Sequence, residues 1–539
     1  MTEHKHIGKI VGALMAAAVA FCLIVTLFAD RFVAVSGSSA TTMEYESTLF
    51  DTSEIMTVNI IMDEDQWQEL LDNAISEEYY ACDVEINGEM ISNVGIRAKG
   101  NTSLSSIAND PDTDRYSFKI KFDKYVDGQT CMGLDKLVLN NNFADATNRK
   151  EALVYDMFQY LGADASLYNY AKISVNGEYW GTYLALEAVE DSFKLRNYGV
   201  SDGKLYKPET MGMGNDQKED GGKPDGNPPE RPNNADFPSS EEGDLAKDNN
   251  PMDRPERPQG DFDQADMDEK FRNPQGDPGD FGNRNGGADL NYTDDDADSY
   301  STIWDGADGK VTDSDKERVV TAIKNINEGT NLTTYLDVDN ILKYMAVHEF
   351  VVNLDSLSGN MAHNYYLYEN DGQLNIIPWD YNLSFGGMTN GGMGGGPGRE
   401  STESSGATSM INDPIDTPFD GTDFFDALLE NEEYLAQYHE YLRQLAEEYV
   451  QGGRLQEVWE RLDAQTDELI ETDPTAFYTA AEYEEAKETL WTVLHLRAES
   501  VLGQLDGTIP STDDGQQNAQ DTLIDGSAID LSVMGEFNH

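Results

Sequence analysis

The sequence predicts an α+β chain of two lobes, strand-rich first and mostly helical second, behind an N-terminal transmembrane helix. Three observations carry this. Short alternating strands with Asn-Gly turns fill the first lobe, helical periodicity fills the second, and an uncharged stretch precedes both.

From Ile10 to Ala29 no residue carries a charge, which suits one bilayer span at about 1.5 Å per residue. Lys5 and Lys9 precede it, so the positive-inside rule leaves residues 1–9 in the cytoplasm and the bulk of the chain extracytoplasmic. Secretion after signal cleavage is the alternative, but the small-residue run "SGSSATT" comes late for a cleavage site. Residues 30–54 read as a polar stalk.

The first lobe spans 55–208. "MTVNIIMDEDQWQELLDNA" reads as a strand and then a helix, with Trp67, Leu70, Leu71 and Ala74 at helical spacing. A hairpin turned at Asn87-Gly88 follows, then the strand "RYSFKIKFDKY". "DKLVLNNNF" runs into the helix "DATNRKEALVYDMFQYLG", which Gly162 closes as a C-terminal cap. A second hairpin turns at Asn176-Gly177. Residues 209–311 are rich in Pro, Gly, Asp and Asn and predict a disordered acidic insertion, because so few apolar residues cannot offset chain entropy. "DDDADSYSTIWD" spaces its carboxylates as calcium loops do but lacks the turn glycine, so it reads as solvated charge.

The second lobe spans 312–505. It opens on "SDKERVVTAIKNINEG", a helix with Ser314 as expected N-cap, followed by the apolar helix "DVDNILKYMAVHEFVVN", expected at the centre. A loop, the strand "YYLYE", the turn "NDG" and a second strand come next. Helical stretches follow at 423–450, 454–471 and 480–505, and 506–539 reads as a disordered acidic tail.

With 101 acidic and 37 basic residues the net charge is −64, which excludes a general nucleic-acid surface. Any anion site must be assembled locally from scarce lysines and arginines. Of three cysteines, Cys22 lies in the uncharged stretch. Cys82 and Cys131 are compatible with one disulfide or with two buried thiols, and no Cys/His cluster indicates zinc.

The second lobe concentrates the chemistry. A buried helix leads to a loop with Asp355, Asn360 follows five residues on, and the later strand delivers Asp380 ahead of Gly386 and Gly387. This is the order of parts in a protein-kinase C-lobe, where one Asp takes the substrate hydroxyl proton and a second holds Mg²⁺ on the ATP phosphates. For the cationic half, Lys119 and Lys121 alternate with Ile120 on one strand. Glu151, on the strong helix of the first lobe, is the expected carboxylate partner. Arg97 and Lys99 lie in "RAKGNTSLSS", a glycine-containing turn that could cover phosphates but matches neither GxGxxG nor a P-loop.

The segments "IRAKGNTS", "SFKIKFDKY", "LVLNNNFADATNRKEAL", "VNGEYWGTYLALEAVEDSF", "GKLYKP" and "NLDSLSGNMAHNYYLYENDGQLNIIPWDYNLSFGG", with the helical tail, resemble the CotH kinase family, atypical kinases named for spore-coat protein H. The resemblance implies a reduced bilobal protein-kinase-like fold that binds ATP with Mg²⁺, or Mn²⁺, and phosphorylates Ser/Thr of secreted or cell-surface proteins. It implies Asp355 as catalytic acid-base residue and Asp380 as metal ligand. Asn360 or Asn364 would be the second ligand, Lys119 the phosphate lysine, and Glu187 part of the region that holds adenine. "WDYN" stands where ordinary kinases carry DFG. Two other functions stay open on the sequence: a non-catalytic surface scaffold or adhesin, and ATP-dependent nucleotidyl transfer.

Overall fold

The computed structural model describes residues 41–210, 286–359, 361–387, 403–419 and 421–535. Seven strands form the first part: β1 (Met56–Ile61), β2 (Tyr80–Ile86), β3 (Glu89–Lys99), β4 (Ser117–Lys121), β5 (Lys136–Asn140), β6 (Tyr168–Val175) and β7 (Glu178–Glu187). The two Asn-Gly turns fold as expected, with Asn87, Gly88, Asn176 and Gly177 all at positive φ. Gly162 caps the Lys150–Leu161 helix at φ 68°.

The strands close into a barrel in the order β1-β2-β3-β4-β5-β7-β6, and this corrects the expected bilobal kinase-like fold. Closure comes from parallel pairing of Met56–Ile60 with Ala171–Val175, which leaves the sheet no open edge. Alternation then has a definite meaning. Val58, Val84, Ile96, Phe118, Ile120, Leu139, Ile173 and Ala185 belong to one buried cluster with Trp67 of the Glu64–Asp72 helix. Val138, Tyr168, Leu184 and Leu186, on the other face of their strands, join a second cluster with the Lys150–Leu161 helix.

That helix is buried on nearly every side, wedged between the barrel and the Val338–Val351 helix. Phe158 stacks on Tyr344 and meets Tyr381 edge-on. The Val338–Val351 helix is central, as its apolar sequence predicts, with Ile341, Met345, Ala346 and Phe350 fully buried. The helices Asp313–Asn327, Glu432–Arg443, Arg454–Glu471 and Ala480–Leu505 surround it. The first of these is capped by Thr312 rather than Ser314: Thr312 Oγ1 accepts from the Asp315 amide, and the Asp315 carboxylate accepts from the Thr312 amide, which completes a capping box. Beside the central helix lies a three-stranded sheet, β10-β9-β8, made of β8 (Lys204–Tyr206), β9 (Tyr365–Asn370) and β10 (Gln373–Pro378).

Parts of the segments expected to be disordered are folded, and residues 211–285 lie outside the described residues. Residues 286–311 are ordered, with Leu290, Tyr300 and Ile303 buried and the Tyr365 hydroxyl donating to Ala288 O at 2.6 Å. In the tail Leu531 and Met534 are buried, and Met534 O accepts from the Ala146 amide. A few apolar anchors inside polar sequence suffice to dock each segment. The expected membrane anchor is not supported: among the described residues no helix is long and apolar enough to cross a membrane, and residues 10–29 lie outside the described residues. The localisation that rested on that anchor loses its support with it. Cys82 and Cys131 are buried thiols not joined in a disulfide.

Ile173 faces the barrel interior at the closing seam. Ile173→Ala should lower the unfolding free energy by about 2–5 kcal/mol in denaturant titrations. Ile75→Ala, on the surface, should stay within about 0.5 kcal/mol.

Candidate active site

The acids identified from sequence converge where the barrel, the Lys150–Leu161 helix and the small sheet meet. Glu151 stands in the first turn of its helix and is almost fully buried. Asn140, at the end of β5, donates to Glu151 Oε2 at 2.8 Å and accepts from Lys99 Nζ at 2.9 Å. Lys99 ends β3 and reaches over the Trp379 ring, 5.9 Å from its centroid. Asp380, two residues beyond β10, lies beside Glu151 and takes a left-handed conformation at φ 60°. That backbone is costly for a non-glycine residue, and such strain concentrates at functional sites.

The electrostatics follow from this packing. Burial first, then the Asp380 charge, push the Glu151 carboxyl up to about 8, while Asn140, Lys99 and the Tyr381 amide pull the other way. Burial likewise raises Asp380; Lys99 opposes the rise and Asp355 adds to it. Two carboxylates therefore share a site that favours one proton, or one cation, between them.

Asp355 arrives on a separate loop. Its Oδ1 is 2.5 Å from His363 Nε2, and its Oδ2 accepts from Asn364 Nδ2 at 3.0 Å. Burial disfavours the imidazolium of His363, yet the bond and charge of Asp355 prevail, and His363 is held above its usual value. Asn364 also donates to the Asp355 carbonyl at 2.9 Å, so its amide nitrogen fixes the loop. Gly359 is required at the loop's turn: it sits at φ 98°, and a Cβ there would lie 2.7 Å from Leu354 O.

Other expected residues sit elsewhere. Lys119 lies opposite Arg97 and Val138, two residues along β4 from Ser117, which faces Lys99. The strand lysine that reaches the acids is Lys99, which the sequence offered only as part of a turn that could cover phosphates, with Lys119 expected in its place. Arg97 is buried in an ion pair with Glu77 at 2.8 Å. Glu187 is buried too, accepting from Tyr45 Oη at 2.6 Å, from Arg196 Nη2 at 2.6 Å and from the Leu167 amide at 3.1 Å. It serves as a structural anchor. Asn360 lies outside the described residues.

Do these residues fit a metal? Among the described residues no three His, Cys, Asp or Glu side chains form a ready-made cage. Mg²⁺ needs no such cage, since it keeps waters and binds one or two carboxylates together with phosphate oxygens. Glu151 Oε1, moreover, is buried with no hydrogen-bond partner of good geometry, beside a second carboxylate. Oxygen donors in this arrangement fit a hard divalent cation, which Glu151 and Asp380 would hold with Asn364 as a further oxygen donor.

Lys99 is thus joined through Asn140 to a buried acid pair, with a third acid on its own loop. The family profile described as CotH kinase protein matches residues 96–501, most of the chain. The chain belongs to the CotH kinase family, which points to a kinase-like function. No curated protein matches the chain.

Because Glu151 binds its proton more tightly folded than unfolded, folding takes up a proton between the ordinary value of 4.5 and about 8, and stability falls as pH rises across that window. Thermal unfolding should show the wild type losing stability relative to Glu151→Gln as pH rises. Parallel pH profiles for the two proteins would contradict the buried acid pair.

Proposed function

We propose that the chain is a protein Ser/Thr kinase that transfers the γ-phosphate of ATP. The observation that carries this reading is the Lys99–Asn140–Glu151–Asp380 chain set against Asp355 on a separate loop. Phosphoryl transfer needs positioning and charge stabilisation more than covalent help from the protein. Lys99 supplies a cation for phosphate oxygens, held in place by Asn140 and the Trp379 face. Mg²⁺ or Mn²⁺, when bound, neutralises charge on the phosphates. Asp355, oriented by His363 and Asn364, accepts the hydroxyl proton as the Ser or Thr oxygen bonds to the γ-phosphorus and the bond to the β-phosphate oxygen breaks, releasing ADP.

The test is transfer from γ-labelled ATP to mixed protein acceptors. Asp355→Asn should slow labelling by about a hundredfold or more while leaving ATP binding intact. Asp380→Asn should lose both labelling and metal-dependent ATP binding. Label from the α-phosphate instead would indicate nucleotidyl transfer, and a wild type that binds no ATP would mean a scaffold; either result rejects the kinase reading.

A further inference from the structure

A second lysine acts on Asp380 from a different element. β8 and β10 are both antiparallel to β9, so they run in the same direction and leave the sheet at the same end. β10 leads to Asp380 and β8 leads directly to Lys207. The backbone of Lys207 is fixed: its amide donates to Gly306 O at 2.7 Å. The return chain passes so close that a Cβ on Gly306 would lie 2.1 Å from Lys207 O. The Lys207 ammonium rests 5.9 Å from the Tyr366 ring centroid, and its charge acts on Asp380 as that of Lys99 does.

Lys207 also holds a partner two residues along the chain. Its Nζ lies 2.6 Å from Glu209 Oε1, and both side chains are a quarter exposed. A partly exposed pair of this kind contributes little to stability. It does keep an acid where an anion would sit, within reach of His363, which responds to the Glu209 charge. In a chain of net charge −64, two lysines trained on one acid cluster mark a place for a strongly anionic ligand.

We propose that Lys207 is a phosphate-contacting residue and that Glu209 is its resident counter-ion, displaced when a polyphosphate enters. The inference rests on the phosphotransfer reading and adds to it a second cation and an internal competitor for the phosphates. Glu209 then lowers the affinity for ATP, and its displacement shifts the backbone toward Thr210, whose hydroxyl donates to Met361 O in the loop that follows Asp355.

Calorimetric titration of the purified protein with ATP and with tripolyphosphate, each with Mg²⁺, tests this, with thermal unfolding as the check on folding. Lys207→Met should weaken both ligands by about tenfold or more, and Lys207→Arg by much less. Glu209→Gln should tighten both severalfold, a gain that misfolding cannot produce, and should do nothing in the Lys207→Met background. Lys207→Met binding within twofold of wild type, or Glu209→Gln binding no tighter, would overturn the proposal while leaving the kinase reading intact. A wild type that binds neither ligand would overturn both.

Discussion

Two carboxylates that repel one another are held together in a buried place, and the rest of the site is organised around that cost. Glu151 and Asp380 come from different parts of the fold, one on a helix wedged between barrel and helices, the other at the tip of a small sheet. Lys99 and Asn140 answer them from the barrel. A buried like-charge pair is unfavourable unless something cationic joins it, and Glu151 Oε1 is buried with no hydrogen-bond partner of good geometry. The arrangement is poorly suited to stability and well suited to a divalent cation carrying phosphates.

The same logic explains how the two acid-bearing loops are kept in register. His348, buried on the central helix, bonds Tyr381 Oη at 3.0 Å beside Asp380 and Ser358 Oγ at 2.6 Å beyond Asp355. Burial lowers its pKa to about 3, so the ring stays neutral, with one nitrogen to donate and one to accept. One uncharged ring therefore ties both loops to the central helix without adding charge to the acid cluster.

Much of this was legible in the sequence. Alternation and Asn-Gly turns marked the strands and hairpins, and Asp355, Asp380 and Glu151 stood out as acids at a loop, a strand tip and a helix start. Closure of the barrel did not show, because it depends on β1 pairing in parallel with β6, a partner distant in sequence that local pattern does not report. Lys119 drew attention by its alternation, but register decides which lysine reaches the acids. Lys99 shares its position along the sheet with Ser117, next to the end of β5, whereas Lys119 is set beside Val138. Arg97 and Glu187 are charged residues at well-placed strand positions, yet each is committed to a buried ion pair that only tertiary contacts disclose. The signal that could have found Lys99 was present: like Asp380, it is a charge at a strand tip close to glycine.

Glu151 and Asp380 compete for one proton, which a cation held between them would replace. Binding of ATP with Mg²⁺ near neutral pH, measured by calorimetry in two buffers of different ionisation enthalpy, reads the protons exchanged. The account predicts that the wild type releases a substantial fraction of a proton on binding and that Glu151→Gln does not. Tight binding with no proton release, or with the same release in Glu151→Gln, would contradict it.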